Sequence, residues 1–168
     1  MFTEMPPNTC LSADLPEWLR LAIADAVVVF GRMEQEAIEI SWLLNDAELK
    51  QRLKIAQFPA TKNFIEIIEA VERAKDSLKL DAVKDAFRSL ANERNLMVHG
   101  AWAMTDEKPW VVWHKFAEDT ESVIGEHFEA WRFERFMVKA EHLLNTLRRY
   151  HDQLEAQTGK RTTAMPRD

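Results

Sequence analysis

One run in the chain combines residue types that can do chemistry, Arg94-Asn95-Leu96-Met97-Val98-His99-Gly100. Arginine stays charged at every physiological pH and holds a phosphate or a developing oxyanion, whereas histidine takes or gives a proton near neutrality. The pair suits cleavage of RNA without a metal. In that reaction a base removes the proton of a 2′-hydroxyl, the oxygen attacks the adjacent phosphate, and a cation holds the charge that builds up. Asn95 has the amide needed to orient either partner.

The run must be positioned by a helix. Val83, Phe87, Leu90, Ala91 and Val98 recur along one side, Asp81 can cap the start, and Gly100 suits the left-handed position after a helix end. At roughly 100° per residue, Asn95 and His99 lie about 40° apart while Arg94 and His99 lie about 140° apart. Asn95 and His99 therefore share a face. Arg94 joins them if the last turn loosens, if its long side chain wraps round the helix, or if a second subunit of a symmetric dimer supplies the complementary half. The competing structural reading makes Arg94 and His99 partners of the helix dipole and its last carbonyls.

Arg94-Asn95 followed by His99 resembles the R-x4-H signature of HEPN domains, in which a polar residue follows the arginine. The resemblance implies an up-and-down helical bundle with the motif near the end of a late helix. It also implies a homodimer whose two motifs face each other. Many HEPN domains are metal-independent endoribonucleases, often toxins or defence effectors, and others are non-catalytic RNA binders or scaffolds. By resemblance, then, Arg94, Asn95 and His99 are the catalytic candidates, RNA is the substrate, and no metal or cofactor is needed. A regulatory protein such as an antitoxin is a further implied partner. Glu93 and Trp102 flank the motif in supporting positions, Trp102 as a candidate substrate contact.

The surrounding elements are legible from spacing. Asp14-Leu15-Pro16-Glu17 has the form of a helix start, and Trp18, Leu21, Ala22, Val28, Met33, Ala37, Ile40, Leu43 and Leu44 predict a long helix ending near Asn45. Asp46 can cap a short second helix through Ala56, with Leu49, Leu53 and Ala56 on one face, before Pro59 interrupts. Phe64, Ile65, Ile67, Ile68, Val71 and Ala74 predict a third, fading in Lys75–Lys79. After the motif helix, Ala101–Met104 and Trp110–Phe116 read as two strands of a hairpin, and Glu118–Ser122 with Gly125 as a loop. Trp131, Phe133, Phe136, Ala140, Leu143, Leu144, Leu147 and Leu154 predict a last long helix ending near Gly159. The expected fold is all-α: an up-and-down bundle of about five helices over 14–157, with a small hairpin at 101–116. A flexible lead, 1–13, and a disordered polar tail, 158–168, flank it.

Composition narrows the remaining classes. A length of 168 residues, with 46% hydrophobic and 30% charged residues, fits one globular domain. The net charge of -6 and pI near 5.4 argue against a protein that coats nucleic acid by counterion release. Lone Cys10 offers neither a disulfide framework nor a cysteine metal site. The most apolar stretch, Leu21–Gly31, is half a membrane span and holds Asp25, and the N-terminus lacks the pattern of a signal peptide, so a cytoplasmic protein is expected.

His114, His127, His142 and His151 show no H-x3-H spacing and read as surface or satisfied histidines. Glu34, Glu36, Glu39, Glu66, Glu69 and Glu72 read as solvated acidic faces rather than a di-iron bundle. Trp102, Trp110 and Trp113 suit either base stacking or packing of the hairpin. Arg135, Lys139, Arg148 and Arg149 read as a mixed solvated face more than a phosphate track. The alternative to the enzyme is a non-catalytic RNA-binding or protein-interaction module.

Overall fold

An uninterrupted helical pattern with no proline between Trp18 and Pro59 produces the first helix, α1 (Glu17–Leu44). The computed structural model describes residues 9–10, 15–74, 81–117 and 120–162. Asp14, expected as the first cap, lies outside them. The carbonyl of Pro16 accepts the first N–H groups, those of Leu19 and Arg20.

The end of α1 corrects one expectation. Asp46 does not cap the next helix; it stands at φ 45 and closes α1, donating its N–H to Leu43 O at 3.2 Å while Ala47 N–H reaches Trp42 O at 2.9 Å. This is the Schellman closure, with aspartate in the left-handed position that glycine more often fills. Helix α2 (Leu49–Ala56) begins after Glu48, whose own N–H donates to Gln51 Oε1 at 3.2 Å. Helix α3 (Ala60–Ala74) follows Pro59, and the Lys75–Lys79 segment falls outside the described residues. The motif helix, α4, spans Asp81–His99.

The hairpin is the middle of a larger sheet. Strands β1 (Thr9–Cys10), β2 (Ala101–Thr105), β3 (Lys108–Ala117) and β4 (Thr120–His127) lie in that order, each antiparallel to the next. Of the expected loop over Glu118–Ser122 and Gly125, residues 118–119 lie outside the described set and the rest is β4. Its polar sequence misleads because an added strand is held by backbone bonds to β3, whatever its side chains. Likewise the lead is not wholly loose, since Thr9 pairs with Thr105 and Cys10 with Met104. The β2–β3 connection is tighter than the Thr105–Pro109 run suggests: Thr105 pairs with Lys108, leaving Asp106 and Glu107 at φ 48 and 62. Two consecutive left-handed residues make the type I′ turn that matches strand twist.

The last helix, α5 (Ala130–Thr158), ends at Gly159, which takes φ 67 and donates its N–H to Glu155 O at 2.9 Å. The five helices and the small sheet before the last of them form a helical bundle of the expected class. The polar tail starts later than its composition suggests, because Lys160 contacts Asp46 and Thr162 contacts His151; residues 163–168 lie outside the described set. No helix among the described residues is long and apolar enough to cross a membrane.

The chain divides into two compact units. The first unites residues 1–28 and 92–138, and its buried side chains include Leu19, Leu96, Met97, Ala103, Val111, Phe128, Phe133 and Phe136. The second unites 29–91 and 139–168 around Phe30, Met33, Ile40, Phe64, Phe87, Leu90 and Leu144, with Phe64 and Phe87 stacked at 3.8 Å and 8°.

Buried Leu19, Ala26, Met33 and Ile40 repeat every seven residues along α1. Leu21 and Val28 stand two residues beyond Leu19 and Ala26, about 200° round the helix, and are exposed. Trp18 is also largely exposed, and on α2 Leu49 and Leu53 face solvent while Ile55 is buried. These five residues were expected on buried faces. On the short α2, a stripe with only two or three apolar points has no unique direction until a neighbour selects one.

Candidate functional site

The motif occupies the last turns of α4, in the first unit. Helical bonding persists to the end, for Gly100 N–H donates to Leu96 O at 3.0 Å, the ordinary spacing of an α-helix. A loosened last turn is therefore not how Arg94 approaches the others. Its Nη1 donates to Asn95 Oδ1 at 3.0 Å, so the guanidinium is drawn toward the side of the helix that Asn95 occupies. Asn95 and His99, four residues apart in a regular helix, share that side. Arg94 and Asn95 are half-buried, and His99 is exposed. The structure thus brings together a cation, an amide and an accessible imidazole. An exposed ring in this setting can meet a substrate proton, and a guanidinium beside it carries the charge that a phosphate needs.

The flanking residues brace this end of α4. Glu93 accepts a hydrogen bond from Arg135 Nη2 at 3.1 Å and lies 3.9 Å from Arg132 Nη2. Arg132 also pairs with Glu126 at 3.2 Å and lies over the Phe128 ring at 4.0 Å. Glu93 and Asn95 point about 160° apart round the helix, so this ionic set supports the motif from behind. Trp102 donates its indole N–H to Met97 O at 3.0 Å, which satisfies one of the carbonyls left over at the helix end. Its ring meets Phe128 edge-on at 5.6 Å and lies near-parallel to Phe133 at 6.1 Å. Trp102 thereby packs against the aromatic cluster and caps the helix end. Trp110 likewise covers Gly125, where a Cβ would sit 2.9 Å from the indole, and meets His127 edge-on at 4.8 Å.

Gly100 is needed for a reason other than the expected one. It does not adopt positive φ; instead, a Cβ there would lie 2.3 Å from Val111 Cγ2 and 2.4 Å from Leu96 O. The missing side chain lets the chain pass from α4 directly into β2 beneath β3.

The second unit holds a group that spacing did not single out. Glu36 and Glu39 are buried, against the expectation of a solvated face, and His151 is wholly buried. Glu36 Oε2 lies 2.8 Å from His151 Nδ1, Glu39 Oε2 lies 4.0 Å away, and Thr162 Oγ1 is 2.7 Å from Nε2. Arg148, read as part of a solvated face, has its Nε 3.6 Å from Glu36 Oε1. A signal was present in the sequence: Glu36 falls midway between Val29 and Leu43, on a seven-residue stripe of buried positions. Among the described residues, no group of three or more His, Cys, Asp or Glu side chains is arranged to hold a metal ion. No family model, no curated protein and no solved structure matches this chain.

Proposed function

We propose that this chain is an endoribonuclease of the HEPN kind, acting as a homodimer and held in check by a protein partner. The observation that carries the reading is the Arg94–Asn95 hydrogen bond of 3.0 Å beside an exposed His99 one turn further on. His99 takes the proton of a 2′-hydroxyl, the 2′-oxygen forms a bond to phosphorus as the bond from phosphorus to the 5′-oxygen breaks, and the 5′-oxygen takes a proton from water. Arg94 holds the charge on the phosphoryl oxygens, and Asn95 fixes the guanidinium. The products are a 2′,3′-cyclic phosphate and a 5′-hydroxyl.

Purified protein in EDTA is expected to cleave labelled RNA to these ends. His99→Ala should lower the rate by about 10²–10⁴-fold, the range for loss of a general acid or base. The melting temperature should stay unchanged because the ring is exposed. Absence of cleavage by the wild type, or equal cleavage by His99→Ala, removes the reading.

A non-catalytic RNA-binding or protein-interaction module is the second reading. It is favoured by the exposed Trp131, with Arg135 over its ring at 5.0 Å, a platform that suits a nucleobase or a partner's apolar side chain. Retention of RNA without cleavage, abolished by Trp131→Ala and not by His99→Ala, distinguishes it.

A further inference from the structure

Residues 159–162, which follow α5, stay on the surface of the second unit. Gly159, at φ 67, turns the chain, a conformation that glycine adopts without steric cost. Lys160 Nζ then pairs with the Asp46 carboxylate at the end of α1. Thr162 donates its backbone N–H to Glu155 Oε1 at 2.8 Å and sets its hydroxyl 2.7 Å from His151 Nε2.

The imidazole under that hydroxyl is oriented from its other side. Nδ1 lies 2.8 Å from Glu36 Oε2. An ionised carboxylate only accepts, so Nδ1 carries the hydrogen, while Thr162 Oγ1 sits at Nε2 and also lies 3.4 Å from Glu155 Oε1. Glu39 at 4.0 Å from Nδ1, Glu155 at 3.6 Å from Nε2, and Arg148 at 3.6 Å from Glu36 are charged groups round the pair. A carboxylate holding the tautomer of an imidazole whose far nitrogen meets a hydroxyl is the arrangement by which histidine takes a proton from an alcohol.

We propose that Gly159–Thr162 is an intrasteric strap: the Thr162 hydroxyl occupies the place of a hydroxyl-bearing small molecule on the carboxylate-backed imidazole of His151, and opening the strap uncovers a general base at Nε2. Two features fit a strap that opens. Its hinge is a glycine, and its outer tie joins side chains that are 52% and 78% exposed, so salt screens it. The imidazole itself, by contrast, is fixed from within the bundle by Glu36 and does not depend on the strap for its orientation. The proposal uses none of Arg94, Asn95 or His99.

Carbethoxylation by diethyl pyrocarbonate, read residue by residue by mass spectrometry, tests access to Nε2 in the full chain. In the wild type His151 is expected to react far more slowly than exposed His99. Lys160→Ala and Thr162→Ala should each raise the His151 rate ten-fold or more and leave the His99 rate unchanged. Wild-type protein in high salt should show the same direction of change, which keeps the test available if a variant does not fold. A His151 rate that salt and both variants leave at the wild-type value overturns the proposal, as does a wild-type His151 as reactive as His99.

Discussion

At the residue scale, the site depends on one atom that is missing as much as on those present. Gly100 has no positive φ to justify it, yet a Cβ would collide with Val111 Cγ2 and with Leu96 O at 2.3 and 2.4 Å. Gly100→Ala must therefore push α4 away from β3 or unwind its last turn. A loss of about 1–3 kcal/mol in urea unfolding is expected, the usual cost of overpacking, and a variant as stable as wild type contradicts this account. The same displacement moves His99, the preceding residue, so RNA cleavage should fall with it. Arg94 shows the opposite case. Wheel geometry sets it about 140° from His99, and only a flexible side chain bonded to Asn95 narrows that separation.

At the element scale, two turns rest on left-handed residues that are not glycine. Asp106 and Glu107 form the β2–β3 turn at φ 48 and 62, and glutamate has neither the short side chain nor the local bonding that eases this conformation. Glu107→Gly should raise stability by roughly 1 kcal/mol, seen as a higher melting temperature, because the type I′ turn favours glycine at its second position. Asp46, the other case, closes α1 and receives Lys160. The hydrogen bond from Lys160, with its charge, holds the Asp46 carboxyl below the ordinary 3.8. A depressed carboxylate contributes its stability above the unfolded value and loses it as pH falls through the folded one. The strap contact should thus be intact at neutral pH and weaken in acid below about 3.8. Exchange of the Thr162 amide should quicken there, beyond its intrinsic pH dependence, in the wild type and not in Lys160→Ala, where the tie is already gone.

For the whole molecule, the ribonuclease reading makes a claim about assembly. The native mass should be twice 19.6 kDa by light scattering, and a value of one protomer removes the homodimer from the proposal. Because Arg94 is bonded to Asn95 of its own chain, each protomer should carry its own trio. Mixed and refolded Arg94→Ala and His99→Ala chains should then stay inactive. Recovery of about a quarter of the wild-type rate, from the one intact site in each mixed dimer, would show a site shared between protomers instead. On that reading, the net charge of -6 confines RNA binding to the local charge at the motif.

Sequence alone determined the helices, the hairpin and the residue types of the motif, because each follows from short-range spacing. Periodicity places α1, α3, α4 and α5 within a few residues, and Gly159 ends the last of them. Tertiary structure alone decided the fates of particular residues. Glu36 and Glu39 look like one more acidic helix face until His151, 115 residues from Glu36 in the chain, arrives opposite them. Strand β4 looks like a loop until β3 offers it an edge, and Gly100 looks like a helix cap until Val111 crosses above it. The physical reason is common to all three. Local spacing fixes which way a chain coils, whereas burial, edge pairing and close approach depend on a partner that sequence distance does not reveal.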